Sequence, residues 1–111
     1  MTMDWSEDVR AILSCGISLS ERGVNNWALT ESQALQALDK FKGLAIPVLG
    51  GDIYEMVDDE PESNYDNWYC ERNDSEELGK FVARSIKFAR QYIGNYRNPS
   101  SRETFFVLVT E

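Results

Sequence analysis

The sequence predicts a small α+β domain in the element order α-α-β-β-β-α-β, with a mostly antiparallel sheet and helices packed on one face. Three segments place apolar residues at helical spacing, and a dense run of β-forming residues lies near the end of the chain. Shorter apolar or alternating runs, which are typical of strands, lie between the second and third helical segments. The length of 111 residues and the hydrophobic content of 42% suit a single domain over residues 1–111.

The first helix is predicted to begin near Asp4, because Asp4 and Glu7 have the spacing of a capping box. Its apolar residues recur at helical intervals: Trp5, Val9, Ile12 and Leu13. Gly16 ends this helix, and Gly23 marks a turn a few residues later. Between the two glycines, residues 17–19 are predicted to form a short extended piece.

The second helix is predicted to start after Thr30, a favourable N-cap, with Glu31 adding negative charge in the first turn. Its apolar face contains Ala34, Leu35, Leu38 and Phe41. Gly43 is expected to end the helix, since glycine takes the left-handed backbone conformation without steric cost.

The next stretch is expected to contain two strands. Residues 45–49 are apolar on both faces, which indicates a central or covered strand, although Pro47 argues against full pairing because it lacks a backbone N–H. The pair Gly50-Gly51 favours a hairpin turn between apolar runs, and a longer bend within one edge strand is the alternative. Residues 53–57 continue as the second strand.

The acidic segment at residues 58–64 is predicted to be an exposed loop by composition. Residues 65–71 alternate as a third strand, with Trp68 and Cys70 directed to the core. The other set of alternate residues is directed to solvent: Tyr65, Asn67 and Tyr69.

The longest helix is predicted to be capped by Asp74 or Ser75 and to end near Gly94. Its apolar stripe contains Leu78, Phe81, Val82, Ile86, Ala89, Tyr92 and Ile93. Residues 104–110 are almost uniformly hydrophobic, which predicts an interior strand.

The net charge of −8 is distributed unevenly along the chain. Residues 52–77 contain eleven acidic residues and a single base, Arg72, and therefore carry −10, whereas residues 1–51 carry −2 and residues 78–111 carry +4. Such an acidic block repels nucleic acid, and it attracts basic protein surfaces. That the acids serve only to keep the domain soluble stays open as the alternative.

No catalytic or metal-binding motif is found. The chain has no histidine, so neither a histidine-activated cysteine nor a usual zinc site is expected, and Cys15 and Cys70 are predicted to be reduced structural residues. Five carboxylates could hold calcium or supply an acid–base pair, but their spacing matches no calcium loop: Asp52, Asp58, Asp59, Glu60 and Asp66. For Asp52 we favour a local role, capping the turn after Gly51. No cofactor is expected.

The remaining constellation combines aromatic and acidic side chains, a mixture that tight protein interfaces favour. The predicted partner-binding residues are Asp52, Tyr54, Glu55, Asp58, Asp59, Tyr65, Asp66, Tyr69 and Glu71. No apolar run approaches the ~20 residues needed to cross a bilayer, and residues 1–8 lack the basic start of a secretion signal. We therefore expect a cytosolic protein with no membrane partner.

Two motifs in order resemble the immunity protein 40 family. Residues 48–54, with Gly50-Gly51-Asp52, precede a Tyr-Asp-Asn-Trp-Tyr-Cys motif at residues 65–70, a long helix and a Phe-Phe-Val-Leu-Val strand. The resemblance extends from about Leu35 to the C-terminus. It implies a bacterial cytosolic protein, encoded beside a toxin of a polymorphic toxin system, which binds and neutralises that toxin.

Together these observations predict a non-enzymatic inhibitor in which segment 52–71 covers the active site or substrate cleft of a toxin with a basic surface. Two alternatives stay open. One is a small carboxylate-dependent enzyme, which needs converging carboxylates in a cavity. The other is an acidic scaffold for protein interactions that has no toxin partner.

Overall fold

The computed structural model describes residues 6–110, which form an α+β fold and confirm the predicted class. Three helices and five strands are present in this part of the chain. In chain order they are α1 (Glu7–Leu13), β1 (Ile17–Ser18), β2 (Trp27–Ala28), α2 (Glu31–Gly43), β3 (Val48–Val57), β4 (Glu60–Tyr69), α3 (Leu78–Asn95) and β5 (Thr104–Thr110), with a 3-10 turn at Ser20–Arg22 between β1 and β2.

The main sheet has three antiparallel strands in the order β4-β3-β5, so β3 is central. The short strands β1 and β2 pair with each other in a separate antiparallel ribbon. This ribbon is joined to the main sheet at one point, where Leu29 and Phe106 exchange backbone hydrogen bonds of 2.8 and 2.7 Å.

The helices pack on one face of the main sheet, as predicted. The core on that side is built around Ile53, Trp68, Phe106 and Leu108 from the sheet, together with apolar residues from all three helices. Trp68 is 5% exposed, and its ring stacks on Tyr92 of α3 with a centroid distance of 4.7 Å. This helical face of the sheet carries most of the hydrophobic burial that stabilises the fold.

The opposite face of β5 is covered by the β1–β2 ribbon. Phe105 and Val107 pack there against Leu19 and Ala28, with Val24, Tyr54 and Met56 at the margin. Because both faces of β5 are buried, its sequence is hydrophobic almost throughout. The expected interior position in the sheet is nevertheless wrong, because β5 is an edge of the three-stranded sheet. Among residues 6–110, pairing beyond β5 is limited to Leu29.

The Gly50-Gly51 pair does not form a hairpin turn. Both residues lie within the ten-residue central strand β3, which replaces the two strands expected over residues 45–57. A Cβ atom on Gly51 would overlap the Trp68 ring and lie 2.5 Å from the Val107 carbonyl oxygen. These glycines are therefore required for close approach of β4 and the Trp68 ring, rather than for a change of direction.

The hairpin between β3 and β4 turns instead at Asp58 and Asp59, which have φ values of 51° and 66°. Asp tolerates this left-handed conformation better than most residues and suits a two-residue hairpin turn. The predicted loop at residues 58–64 is consequently wrong after the turn, because Glu60–Tyr69 is a continuous strand. Acidic composition indicates that a segment is exposed, but it does not distinguish a loop from an exposed edge strand.

The helix caps agree only partly with prediction. Thr30 caps α2 in a reciprocal capping box with Gln33, as its position suggested. Gly43 remains within α2, and the residue with left-handed backbone is Ala45, at φ 57°. The predicted cap Asp4 lies outside the described residues, and within them the side chain of Ser6 caps α1.

The start of α3 also differs from expectation, because Glu77 is its N-cap residue rather than Asp74 or Ser75. Asp74 and Ser75 form a turn before the helix. Glu76 is not available to the helix terminus, since its carboxylate accepts two 2.8 Å hydrogen bonds from Arg84.

Candidate partner-binding face

The face of the main sheet opposite the helices is partly open to solvent, and we call the part contributed by β3 and β4 the open face. Strand pairing sets Tyr69 and Val109 beside Gly50 in one row, and Asn67 beside Asp52 in the next. Tyr69 is 70% exposed, while its neighbour Trp68 points to the helical side and is buried. The predicted outward alternation of β4 is thus confirmed at this end of the strand.

Asp52 is exposed on the open face, and its carboxylate has no hydrogen-bond or ion-pair partner among residues 6–110. Partial burial nevertheless raises the pKa of Asp52. Tyr54 is half-buried against the β1–β2 ribbon, and burial raises its pKa, with a further increase from Asp52 and an opposing effect of Arg22. The structure therefore places Asp52 close enough to Tyr54 for its charge to affect the Tyr54 hydroxyl, and Asp52 is the more exposed of the two.

The tip of the β3–β4 hairpin presents Asp58 and Asp59 to solvent. Behind the tip, Arg22 of the 3-10 turn contacts Glu60 at 3.2 Å and Glu62 at 3.9 Å. These exposed ion pairs neutralise part of the negative charge of the hairpin and contribute little to stability. Asp58 and Asp59 have no such counter-ion within the described part of the chain.

Glu55 is engaged within the protein. One carboxylate oxygen, Oε2, accepts hydrogen bonds from Asn98 Nδ2 at 3.0 Å and Ser100 Oγ at 3.2 Å. The other, Oε1, lies 3.6 Å from Arg102. The Glu55 side chain is only 16% exposed. Because all three of these contacts are with the segment between α3 and β5, they attach the hairpin to the loop before β5.

Asp66 is also engaged, at the rim of the helical side. Its Oδ2 atom accepts a 2.7 Å hydrogen bond from the Tyr96 hydroxyl, which in turn accepts one from Asn64 at 2.8 Å. Burial, followed by the hydrogen bond to Asp66, raises the pKa of Tyr96 to about 12. Between these partners Tyr65 has φ 71° in an irregular part of the β3–β4 pairing and is 87% exposed.

Glu71 follows β4, and its carboxylate has no partner among the described residues, although its carbonyl oxygen accepts a 2.6 Å hydrogen bond from Arg84. Arg84 also donates to the buried Cys70 sulfur at 3.2 Å and to Glu76. The hydrogen bonds from Arg84 and the Asn73 backbone are the main reasons that the pKa of Glu76 falls to about 2. Sequence reasoning missed this clamp, because no local pattern connects a helix residue with the segment before the helix.

Sequence reasoning also passed over Asn67 and Val109 as site residues. Both line a cavity of about 330 Å³ on the open face, together with Leu49, Gly50, Gly51, Asp52, Trp68 and Tyr69. Alternation had indicated that Asn67 points outward with the tyrosines, and this was the available signal. Val109 gave no signal, because its place beside Gly50 depends on long-range strand pairing.

The carboxylates predicted as possible metal ligands are spread along the hairpin. Asp52 and Asp59 are separated by roughly 20 Å of extended chain, and Asp66 does not line the cavity that contains Asp52. Within residues 6–110, no three Asp, Glu or Cys side chains are grouped so as to bind a metal ion. Cys15 and Cys70 are free thiols; Cys70 is buried, which agrees with its predicted direction to the core, whereas Cys15 is exposed.

These features define an α+β protein with one sheet face packed on helices and an open face of tyrosine and aspartate side chains. The chain belongs to the immunity protein 40 family, whose family model matches residues 18–110. Members of immunity protein families are generally non-enzymatic inhibitors. The chain matches no curated protein and no solved structure. None of the helices within residues 6–110 has the combination of length and hydropathy that spanning a membrane requires.

Proposed function

We propose that this protein binds and neutralises a cognate bacterial toxin by covering the toxin's active site or substrate cleft with the open face of the β3–β4 hairpin. Membership in the immunity protein 40 family supports the inhibitory role. The observation that carries the choice of surface is the set of acids on this hairpin that lack internal partners, together with its two most exposed tyrosines.

The carboxylates among the predicted partner-binding residues fall into two groups, according to whether they have hydrogen-bond partners within the protein. Glu55 and Asp66 are hydrogen-bonded within the protein. The carboxylates without a partner among residues 6–110 belong to Asp52, Asp58, Asp59 and Glu71. Free carboxylates attract a basic surface from a distance, and exposed tyrosines such as Tyr65 and Tyr69 add rigid contact area at short range. A toxin that acts on nucleic acid would carry the cationic cleft that such a surface matches.

The sheet edges favour recognition by side chains over addition of a toxin strand. The β4 edge contains Pro61 and an irregularity at Tyr65, features that discourage pairing with another chain. The β5 edge is occupied at Phe106 by Leu29 and at the Leu108 carbonyl by Asn26 Nδ2, at 2.8 Å. We therefore assign toxin binding to the open face and the hairpin tip.

The two alternatives have less support. An acid–base enzyme would require converging carboxylates, and Asp66 faces Tyr96 rather than the cavity beside Asp52. A scaffold without a toxin is disfavoured by the family assignment. We place the protein in the bacterial cytosol, within a polymorphic toxin system, as part of the same proposal.

The test uses the toxin domain encoded beside this protein's gene. Parent protein and the charge-reversal variants Asp52→Lys and Asp59→Lys are titrated against the purified toxin, with affinity and residual toxin activity measured at low and high salt. We expect each reversal to weaken binding by roughly tenfold or more at low salt, because it replaces attraction with repulsion. The difference from the parent shrinks at high salt as charges are screened.

Asp39→Lys is the matched control, since it makes the same charge change on the helical layer, in α2. It is expected to leave binding within about threefold of the parent, because exposed ion pairs such as Asp39–Arg90 contribute little to stability. Equal binding by the parent and both hairpin variants at low salt would reject the open face as the interface. Failure of the parent to protect would reject the inhibitory function itself.

A further inference from the structure

The open face contains a gap beside Gly50 of the central strand. In the row formed by Tyr69, Gly50 and Val109, the central position has no Cβ atom. Neighbouring strands are about 4.8 Å apart, so Tyr69 and Val109 lie roughly 10 Å from each other across the glycine. A flat group fits between these two walls.

Asp52 and Asn67 form one end of this gap, which we call the glycine-floored cavity; they lie two residues along their strands from Gly50 and Tyr69, roughly 7 Å away. The Asp52 carboxylate is free of partners among residues 6–110. Asn67 uses its Nδ2 group to donate to the Tyr65 carbonyl at 3.2 Å, which leaves its Oδ1 oxygen as an acceptor. The floor is the backbone of the central strand, which pairs with β4 and β5 at Gly50.

The chemistry of the cavity selects its occupant. It supplies an aromatic ring, a carboxylate and an amide oxygen, and it has no cationic lining residue. Arginine has a planar cation with five N–H donors, stacks on aromatic faces and is less strongly hydrated than lysine. The volume of about 330 Å³ suits one side chain rather than a folded element.

We propose that one arginine side chain of the toxin occupies the glycine-floored cavity, stacked on Tyr69 and hydrogen-bonded to Asp52 and Asn67. This proposal rests on the function proposed above and specifies the partner group that the open face recognises. Gly50 itself is required by the close approach of β4, because a Cβ atom at that position would overlap the Trp68 carbonyl oxygen.

The experiment combines variants of both proteins in double-mutant cycles. Asp52→Asn keeps the shape of the side chain and removes its charge, and Tyr69→Leu removes the ring. Each is measured against the toxin and against toxin variants in which surface arginines and lysines are changed singly to Ala. We expect both variants to lose roughly tenfold or more in affinity, and one toxin arginine to be coupled to both.

Two variants provide controls. Tyr69→Phe keeps the ring and is expected to bind within about threefold of the parent, whereas a large loss would contradict stacking as the role of Tyr69. Asp59→Asn removes the same charge at the hairpin tip and is expected to show no coupling to the toxin arginine that couples with Asp52. Thermal denaturation of every variant establishes that folding is retained.

The outcomes separate the two proposals. If the parent protects against the toxin and no toxin arginine couples with Asp52 or Tyr69, the occupant of the cavity is wrong and the inhibitory function stands. Strong coupling to a toxin lysine alone also overturns the arginine assignment. If the parent fails to bind the toxin, both proposals fail together.

Discussion

The two faces of strands β3 and β4 come from the same segments of chain, yet they differ in burial, polarity and connection to the rest of the protein. On the helical side, Trp68 is 5% exposed and stacks on Tyr92. On the open side, the next residue, Tyr69, is 70% exposed, and Asp52 has no partner within residues 6–110. Because side chains alternate along a strand, the side chains that stabilise the core and those proposed to bind the toxin are neighbours in sequence and can be altered separately.

The rim between the faces behaves as a third region. Glu55 and Asp66 belong to the acidic segment by sequence, but their hydrogen bonds attach the hairpin to the loop before β5 and to Tyr96 of the segment that follows α3. Acidic residues of this segment therefore differ in role according to whether the fold supplies them with a donor.

The largest effect on stability is expected from replacing one aromatic residue on each face by alanine and comparing the two variants. Trp68→Ala removes the stack on Tyr92 and leaves a cavity in the core, which should lower the free energy of unfolding by ~3–5 kcal/mol. Tyr69→Ala should change it by no more than about 0.5 kcal/mol, since that ring is exposed. Urea denaturation measures both values.

The same pair of variants should show the reverse order in toxin binding, provided that Trp68→Ala is assayed where it remains folded. Tyr69→Ala is then the weaker binder. Comparable losses of stability in the two variants would contradict the separation of the faces. Trp68→Phe is a milder variant, because it keeps a ring and removes a buried indole N–H that has no partner among the described residues.

A smaller effect is expected from adding one methyl group beside Trp68. Gly51→Ala places a Cβ against the Trp68 ring and 2.5 Å from the Val107 carbonyl oxygen, and should destabilise by ~1–3 kcal/mol. Gly79→Ala is the matched control, because a Cβ there meets no atom within 4 Å and the residue lies in α3. It should stabilise the protein by ~0.5 kcal/mol. Equal effects of the two changes on the denaturation midpoint would contradict the close-approach role of Gly51.

The smallest effect is expected at the rim. Tyr96→Phe keeps the ring contacts with Tyr92 and Phe106 but removes the hydrogen bond to Asp66, and should cost ~1 kcal/mol. The raised pKa of Tyr96 adds a dependence on pH, because the folded state favours the protonated phenol. Its contribution is complete below the unfolded pKa of about 10 and is lost as pH rises to about 12.

The stability difference between the parent and Tyr96→Phe should therefore decrease over that alkaline interval. Titration of tyrosinate absorbance should show one late-ionising group in the parent that is absent from the variant. A difference in unfolding free energy that stays constant across the interval would mean that burial and the hydrogen bond to Asp66 do not raise the pKa of Tyr96 in the folded protein.

Sequence patterns predicted those parts of the fold that depend on residues close together in the chain. The Thr30 cap, the buried faces of α2 and α3 and the alternation at Trp68 and Tyr69 were each confirmed, although Leu78 of the predicted α3 stripe is exposed. Errors arose where two local interpretations had equal support, as at Gly50-Gly51, where a turn and a close strand approach require the same residue type.

The sequence by itself determined the α+β class, the position of the helical face and the concentration of negative charge in residues 52–77. Only the tertiary structure decided which of those acids are free, because Glu55, Asp66 and Glu76 are engaged by side chains at least eight positions distant along the chain. It also set Val109 beside Gly50 and thereby formed the cavity on the open face. Periodicity and composition depend on residues close together in the sequence and on their polarity. Contacts between distant residues depend on how the whole chain packs, so these patterns do not predict them.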